Sequence, residues 1–568
     1  MKITSSAFLL LLLLLPSSVL PRTQDKQIGI IDGVVVDAQT NLPVSGVNVS
    51  VKDSAASEKH CISLPCPYPA PMATTDSAGR FSIPGLKLVS YRLEAWGIGY
   101  VDVNLGSNVT TNLGAPISLT SSEGAKHLTI RVSRTATITG RILDDRGLPA
   151  TSLPVTAFKL TYNRDGFPAE GSTKSVQTDD RGEYRLYGMA PGRYYLRGGD
   201  TFGTRYGVTF YPASRNIEAA NEIDVKAGSD IRLNWTINPE RMLSVSGRII
   251  DDATGNPPAN AGLAMAVCSE FTSPGISLST SRYNPATGVF VLSNVRAGQY
   301  LLVAGIANSS PVPVNSTERL ASAEAFIEAQ NNDIENVVLR IAPPVLLSGR
   351  IRYEGIEPVP SNNLASVRML MKRDVPSGAQ CGFVSGTGPL FQRTGSGPTF
   401  QISGLTKGQN YRVQADGLQR VQTDGIPPGM YISQILYSGQ NVMNEVIHLS
   451  DGNSGSMEVV LHSGAGKVHG HTKHSDGSPA AGALAVLVPN ERDRRELYKS
   501  VIADANGDYL IEGVTPGKYQ LFSFMTKDQY IYFNPRIIKN NESEGRAVTI
   551  AEFSDQGIDI NVIPEETN

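Results

Sequence analysis

Two histidines one residue apart come closest to a chemical motif in this chain. His469 and His471 flank Gly470 in the stretch Val468-His469-Gly470-His471-Thr472. On a strand side chains alternate, so both imidazoles leave the same face and Val468 and Gly470 take the other. With His474, His462 or Asp476 completing the set, they are the candidate ligands for zinc or copper. The plainer reading is a solvated pair, since His471 stands where sister segments carry Arg141, Arg248 and Arg350. The seven histidines include no His-x-x-Glu pair and no His-Glu-x-x-His. No Gly-x-Ser-x-Gly elbow and no Walker loop occurs. The acid pairs Asp144-Asp145, Asp179-Asp180 and Asp251-Asp252 all coincide with turn signals, and they read as turn chemistry. The expectation is no catalytic residue, no cofactor, and no metal site beyond the His469 and His471 candidates.

Aromatic and sulfur residues supply the other candidates. Exposed planar rings are the usual contact surface for sugars. Tyr194, Tyr195, Tyr206, Phe210 and Tyr211 cluster in one segment. Tyr194 recurs at matching positions as Tyr91, Tyr300, Tyr411 and Tyr519, which gives it a structural role. Tyr206 and Tyr211 fall outside that repeat and are the candidate ligand-facing rings. Cys61 and Cys66 sit in a proline-rich insertion and form a candidate disulfide in an oxidising compartment. Cys268 and Cys381 either pair with each other or remain free.

The composition sets the class of molecule that holds these residues. Glycine (55) and proline (35) are abundant in the 568 residues, and charged residues make up only 18%. A net charge of −3 gives no electrostatic case for nucleic acid. Four cysteines in so long a chain exclude a disulfide-dense scaffold. Lys2, the leucine run Leu9 to Leu15 and the break at Pro16 read as a secretory signal peptide over residues 1–23. No later segment approaches spanning length, so no membrane span is expected after its removal.

Three markers recur in the same order along the chain. The first is a β-rich segment centred on Gly33, Gly140, Gly247, Gly349 and Gly470, spaced 107, 107, 102 and 121 residues apart. The glycine points inward, and the expectation is that the facing sheet approaches closely there. The second is an Asp-x-x-Gly turn leading into a strand, clearest at Asp76, Asp179 and Asp504. The third runs apolar-x-Gly-apolar-x-Pro-Gly-x-Tyr, complete at Leu186 to Tyr194 and at Ile511 to Tyr519. Short alternating strands between turn signals imply an all-β fold, a tandem array of Ig-like or transthyretin-like antiparallel β-sandwich modules. No strong amphipathic helix is found, and Glu318 to Ala329 reads as loop and strand. The modules are expected at 24–133, 134–241, 242–341, 342–463 (divergent) and 464–568.

The segments Gly140 to Asp145, Asp179 to Leu186 and Gly188 to Leu196 resemble the carboxypeptidase regulatory-like domain. The resemblance implies a transthyretin-like sandwich of the carbohydrate-binding-like group. Its motifs set turns rather than chemistry, and it brings no catalytic residues with it. Such modules accompany metallocarboxypeptidases, outer-membrane receptors and surface adhesins.

The expected function is that of an exported, non-enzymatic, multi-module binding or scaffold protein, secreted, periplasmic or at the cell surface. Its expected partner is a polysaccharide, on the resemblance alone, or a cell-surface protein. The alternatives are a structural spacer or adhesin-type stalk, and a metal-dependent hydrolase centred on His469 and His471. The sequence leaves oligomeric state open.

Overall fold

Alternation of apolar and polar residues gives each strand an inner and an outer face. In the strand Ala136–Leu143, buried Ala136, Ile138, Gly140 and Ile142 alternate with the more exposed Thr137, Thr139, Arg141 and Leu143. The same alternation runs through Leu243–Asp251, Val345–Glu354 and Gly466–Lys473, the strands that hold the recurring glycines. The computed structural model describes residues 28–53, 70–105, 117–119, 125–163, 166–199, 206–269, 276–277, 280–306, 321–355, 369–375, 380–381, 390–393, 398–415, 429–449, 455–504, 506–526 and 528–564. Among them are ten sheets and one short α-helix, Pro535–Asn540, capped by the Asn534 side chain. Among the described residues no helix is long and apolar enough to cross a membrane.

The sheets form a tandem array of antiparallel sandwiches. In the second sandwich the smaller sheet runs in the order Glu183–Met189, Ala136–Leu143, Asp230–Arg232. Its partner sheet is built on Pro168–Gln177, Pro154–Tyr162 and Gly192–Gly198. Ile138, Ile142, Leu186, Leu196 and Trp235 fill the space between them. Comparable cores surround Phe290 and Leu302, Phe400 and Val413, and Leu487 and Leu521 in the sandwiches that follow. Burying such side chains at roughly 1.5–3 kcal/mol each is the main term favouring each module.

Entry and exit strands lie side by side. The glycine strand of each of the last four sandwiches pairs antiparallel with the strand after the turn. On its other edge it pairs parallel with the strand that leaves the sandwich. Val345–Glu354 with Met457–Ser463 and Leu243–Asp251 with Ile334–Ile341 are the long parallel pairs, with six register partners each. The second and fifth sandwiches show the same arrangement. Ser322–Ala329 is a strand, paired with Gly298–Ile306, as its place in the repeat implied.

The recurring glycine has a neighbour other than the one expected. A Cβ on Gly140 would lie 1.8 Å from the carbonyl oxygen of Leu233, and one on Gly470 would lie 2.0 Å from that of Ile558. Both carbonyls belong to the exit strand's side of the same sheet, not to the facing sheet. The close approach arises where the exit segment bends between two short parallel pairings, Asp230–Arg232 and Trp235–Thr236, and tips one carbonyl over the glycine. Directly across from the glycine in the antiparallel register stands an aromatic residue. The pairs are Phe81 with Gly33, Tyr184 with Gly140, Phe290 with Gly247, Phe400 with Gly349 and Tyr509 with Gly470. The ring covers the position the glycine leaves bare. The two tyrosines also bind the tipped carbonyl: Tyr184 Oη donates to Leu233 at 2.8 Å and Tyr509 Oη to Ile558 at 2.6 Å.

The other markers are local devices. Oδ1 of Asp179 accepts from the amides of Arg181 and Glu183 at 2.9 and 2.8 Å, and Gly182 closes the turn at φ 75°. Asp76 and Asp504 repeat the arrangement. Beyond the third marker's turn, the phenol reaches back four residues. Tyr194, Tyr300 and Tyr519 donate to the carbonyls of Ala190, Arg296 and Thr515, and Tyr91 donates to Lys87.

The chain divides into two compact units, residues 1–95 with 116–131, and residues 96–115 with 132–568. Within the second unit the sandwiches are fastened to one another. A disulfide joins Cys268 to Cys381, so Gln380–Cys381 pairs as an extra short strand on Ala261–Ser269. Arg373 meets Glu324 in a buried ion pair, with side-chain exposures of 12% and 6%. Asn444 donates to Glu496 at 2.9 Å. The second sandwich reaches the fifth through Thr161 and Asp528, and through Glu222 and Arg536 at 2.6 Å. The Phe167 ring carries the guanidinium of Arg495 at 4.4 Å and the ammonium of Lys372 at 5.7 Å.

Candidate functional site

The strand Gly466–Lys473 positions the histidine pair as its alternation requires, with His469 and His471 exposed on one face and Val468 buried on the other. Each imidazole meets carboxylates rather than a second imidazole. His469 Nε2 lies 3.2 Å from Asp555, on the neighbouring parallel strand. His471 lies between two acids, with Nε2 2.9 Å from Asp508 and Nδ1 3.1 Å from Asp559. Lys473 adds a third contact to Asp559 at 2.6 Å. Hydrogen bonds from Lys473 and His471 hold the Asp559 carboxyl well below the usual carboxylate range. Among the described residues no group of three or more metal-ligating side chains converges. The face is an ion-pair network on an open sheet.

The two candidate rings separate. Tyr206 is buried, with 3% of its surface exposed, inside the core of the second sandwich. Its backbone bridges to Pro239, which draws the ring under the sheet, so it is not an exposed platform for a ligand. Tyr211 is half-buried against the same core, its ring edge-to-face with Trp235 at 6.1 Å. Cys61 and Cys66 lie outside the described residues, as does the leader over residues 1–23. Cys268 and Cys381, left open by the sequence, form the disulfide between the third and fourth sandwiches.

A cleft of about 650 Å³ opens on the first sandwich, lined by Asp32, Asp76, Arg80, Ser82, His127 and Thr129 among others. His127 Nδ1 pairs with Asp32. Ser82 stands across the ladder from Asp32, not beside the imidazole. A serine nucleophile needs the imidazole as its immediate neighbour, so this order of groups does not make a triad.

Sequence reasoning missed the groups that carry the most unusual environments. Lys499 is buried on the inner side of the fifth sandwich, across from Leu487, and burial pushes its pKa down to about 8. Burial likewise pushes the Asp528 carboxyl up. Tyr187 stands 63% exposed beneath Lys174, whose ammonium is 5.2 Å from the ring centroid. The outward position of Tyr187 was legible from alternation after Tyr184 and Leu186. The other two carry no local signal.

Residues 30–121 match the carboxypeptidase regulatory-like domain. No curated protein matches the chain. Among solved structures it is similar to the Bacillus anthracis TIE protein at 13% identity and a TM-score of 0.17, covering 55% of this chain and 51% of that one. The chain thus spans about half the length of the TIE protein. It is also similar to a streptococcal ancillary pilin at 12% identity and a TM-score of 0.22, over 56% of this chain and 99% of the pilin. GBS52, a minor pilin of Streptococcus agalactiae, aligns at 11% identity and a TM-score of 0.22, over 38% and 97%.

Proposed function

We propose that this chain is an exported, non-enzymatic scaffold that displays binding faces to a polysaccharide or a cell-surface protein. The observation that carries the reading is the fastening of the second unit. The disulfide, the Arg373–Glu324 pair, the Asn444–Glu496 bond and the Thr161–Asp528 bond each join different sandwiches. Sandwiches held in fixed relation present their outer faces at fixed spacing, which is what multivalent attachment to a repeating surface uses. The repeated residues support the non-enzymatic part. Each recurring aspartate, glycine and tyrosine is already committed to a turn, a close approach or a backbone hydrogen bond.

Incubating the purified chain with immobilised polysaccharides and intact cell surfaces tests the reading. Retention without release of reducing sugar or free amine is expected. Release of product, with or without added zinc, overturns the non-enzymatic reading, and retention by no surface overturns the binding role. A Thr161→Cys/Asp528→Cys variant should cross-link within the monomer, and failure to do so removes the fixed array.

A further inference from the structure

The outer face of the smaller sheet in the second sandwich carries exposed cations next to an exposed ring. Arg185, Thr139 and Arg232 stand in register across three adjacent strands, so the two arginines flank a threonine roughly 10 Å apart by strand spacing. All three side chains point outward, and both arginines are exposed. Neither Arg185 nor Arg232 makes an ion pair among the described residues, and neither does Lys174. Tyr187 follows Arg185 on the same face, 63% exposed, with the Lys174 ammonium over its ring. Arg141 is the fourth cation, its Nε already donating to the Arg181 carbonyl. Glu183 and Asp230 are the acids on this face.

Two sister faces neutralise themselves, whereas in the third sandwich Arg248 and Arg282 are exposed and make no ion pair among the described residues. In the fourth sandwich Arg350 and Arg352 both bind Glu458. In the fifth, Lys467, His469, His471 and Lys473 face Glu512, Asp555, Asp508 and Asp559. The fourth and fifth sandwiches thus answer these positions with acids, and the second leaves Arg185 and Arg232 without an ion-pair partner beside the exposed Tyr187 ring that Lys174 overlies. Guanidinium forks suit carboxylates and sulfates, and a flat ring suits the apolar face of a sugar. Arg141, Arg185 and Arg232 share this face and Lys174 reaches Tyr187 from the partner sheet, a spread of cations that suits an extended anion.

We propose that this face binds an anionic polysaccharide, with Tyr187 stacking on a sugar ring and Arg185, Arg232 and Lys174 meeting its carboxylates or sulfates. The inference rests on the polysaccharide reading of the chain and names the face and ligand charge. The test is affinity electrophoresis of the full chain through alginate, polygalacturonate and heparin, with dextran as the neutral probe and polyglutamate as the acidic peptide. Retardation by at least one anionic polysaccharide is expected, weakening severalfold from 50 to 200 mM salt. The Arg185→Gln/Arg232→Gln variant should lose at least tenfold in affinity. Tyr187→Ala should lose about tenfold and Tyr187→Phe little, with Arg350→Gln on the fourth sandwich unchanged. Retention by dextran alone overturns this inference and leaves the scaffold reading standing. Retention by no polysaccharide overturns the inference and the polysaccharide part of that reading together. Anionic retention that survives both variants, or equal retention by polyglutamate, overturns the site or the sugar specificity.

Discussion

The hydroxyl of Thr161 donates to Oδ2 of Asp528 at 2.7 Å, joining two side chains 367 residues apart in the chain. Asp528 has no cationic partner among the described residues, and its other oxygen accepts from the amide of Tyr530 at 2.9 Å. Tyr162, Glu218 and Arg495 are charged or titratable groups near this contact.

Burial raises the Asp528 carboxyl above its ordinary value of about 3.9. A group whose folded pKa is raised contributes stability that is full below the unfolded value. That stability is lost as pH rises through the folded value. The contact between the second and fifth sandwiches is therefore tightest in acid and weakens toward neutral pH. Amide hydrogen exchange of residues 528–545, measured between pH 4.5 and 7.5 and corrected for intrinsic rates, should show protection falling with pH. Asp528→Asn should abolish that dependence; protection that rises with pH in the parent chain contradicts the assignment.

Gly140 and Tyr184 give two unequal outcomes. Tyr184→Phe keeps the ring and loses one hydrogen bond to Leu233, a cost of about 1 kcal/mol. Phe81, Phe290 and Phe400 already fill this place without a hydroxyl. Gly140→Ala puts a methyl 1.8 Å from a backbone oxygen that cannot retreat without breaking the parallel ladder. It should cost more than 4 kcal/mol. Urea denaturation of the two variants checks the ranking.

The Cys268–Cys381 bond closes 113 residues. Loop-closure entropy for a chain of that length gives about 5 kcal/mol, with the usual delivered range about 2–4. Cys268→Ser/Cys381→Ser should lower the unfolding midpoint of the third and fourth sandwiches, and dithiothreitol should reproduce the shift in the parent chain and leave the variant untouched.

Lys499 predicts a gain. Its amine is buried, and its pKa falls to about 8 from an unfolded value near 10.4. The folded state binds fewer protons between these values, so stability rises with pH through roughly 8–10. At pH 7 the buried charge costs on the order of 2–3 kcal/mol. Lys499→Met should therefore stabilise the fifth sandwich at pH 7 and flatten its response to pH, as read by thermal unfolding at pH 7 and 9.5. A destabilised variant would show that the amine has a compensating partner.

What was legible in the sequence was what acts locally. An Asx turn needs four residues, and a tyrosine reaching back four positions needs five, so repeated copies announce themselves. The glycine's neighbour was misread because a bend in the exit strand tips Leu233 over it from about ninety residues away, without any marker at Leu233. Tyr206 was misread for the same reason, since the Pro239 bridge that buries it lies beyond any local pattern. Contacts between sandwiches, such as Arg373 with Glu324, depend on single side chains that do not recur. The unpaired cations around Tyr187 became visible only once the paired ones in the sister faces could be compared with them.

The parallel entry and exit strands have a mechanical consequence. Tension applied along the chain pulls the two adjacent strands of a sandwich in opposite directions along their length. The hydrogen bonds between Val345–Glu354 and Met457–Ser463 are then loaded in shear, all at once, instead of being unzipped one at a time. A sandwich wired this way resists extension until most of the ladder fails together.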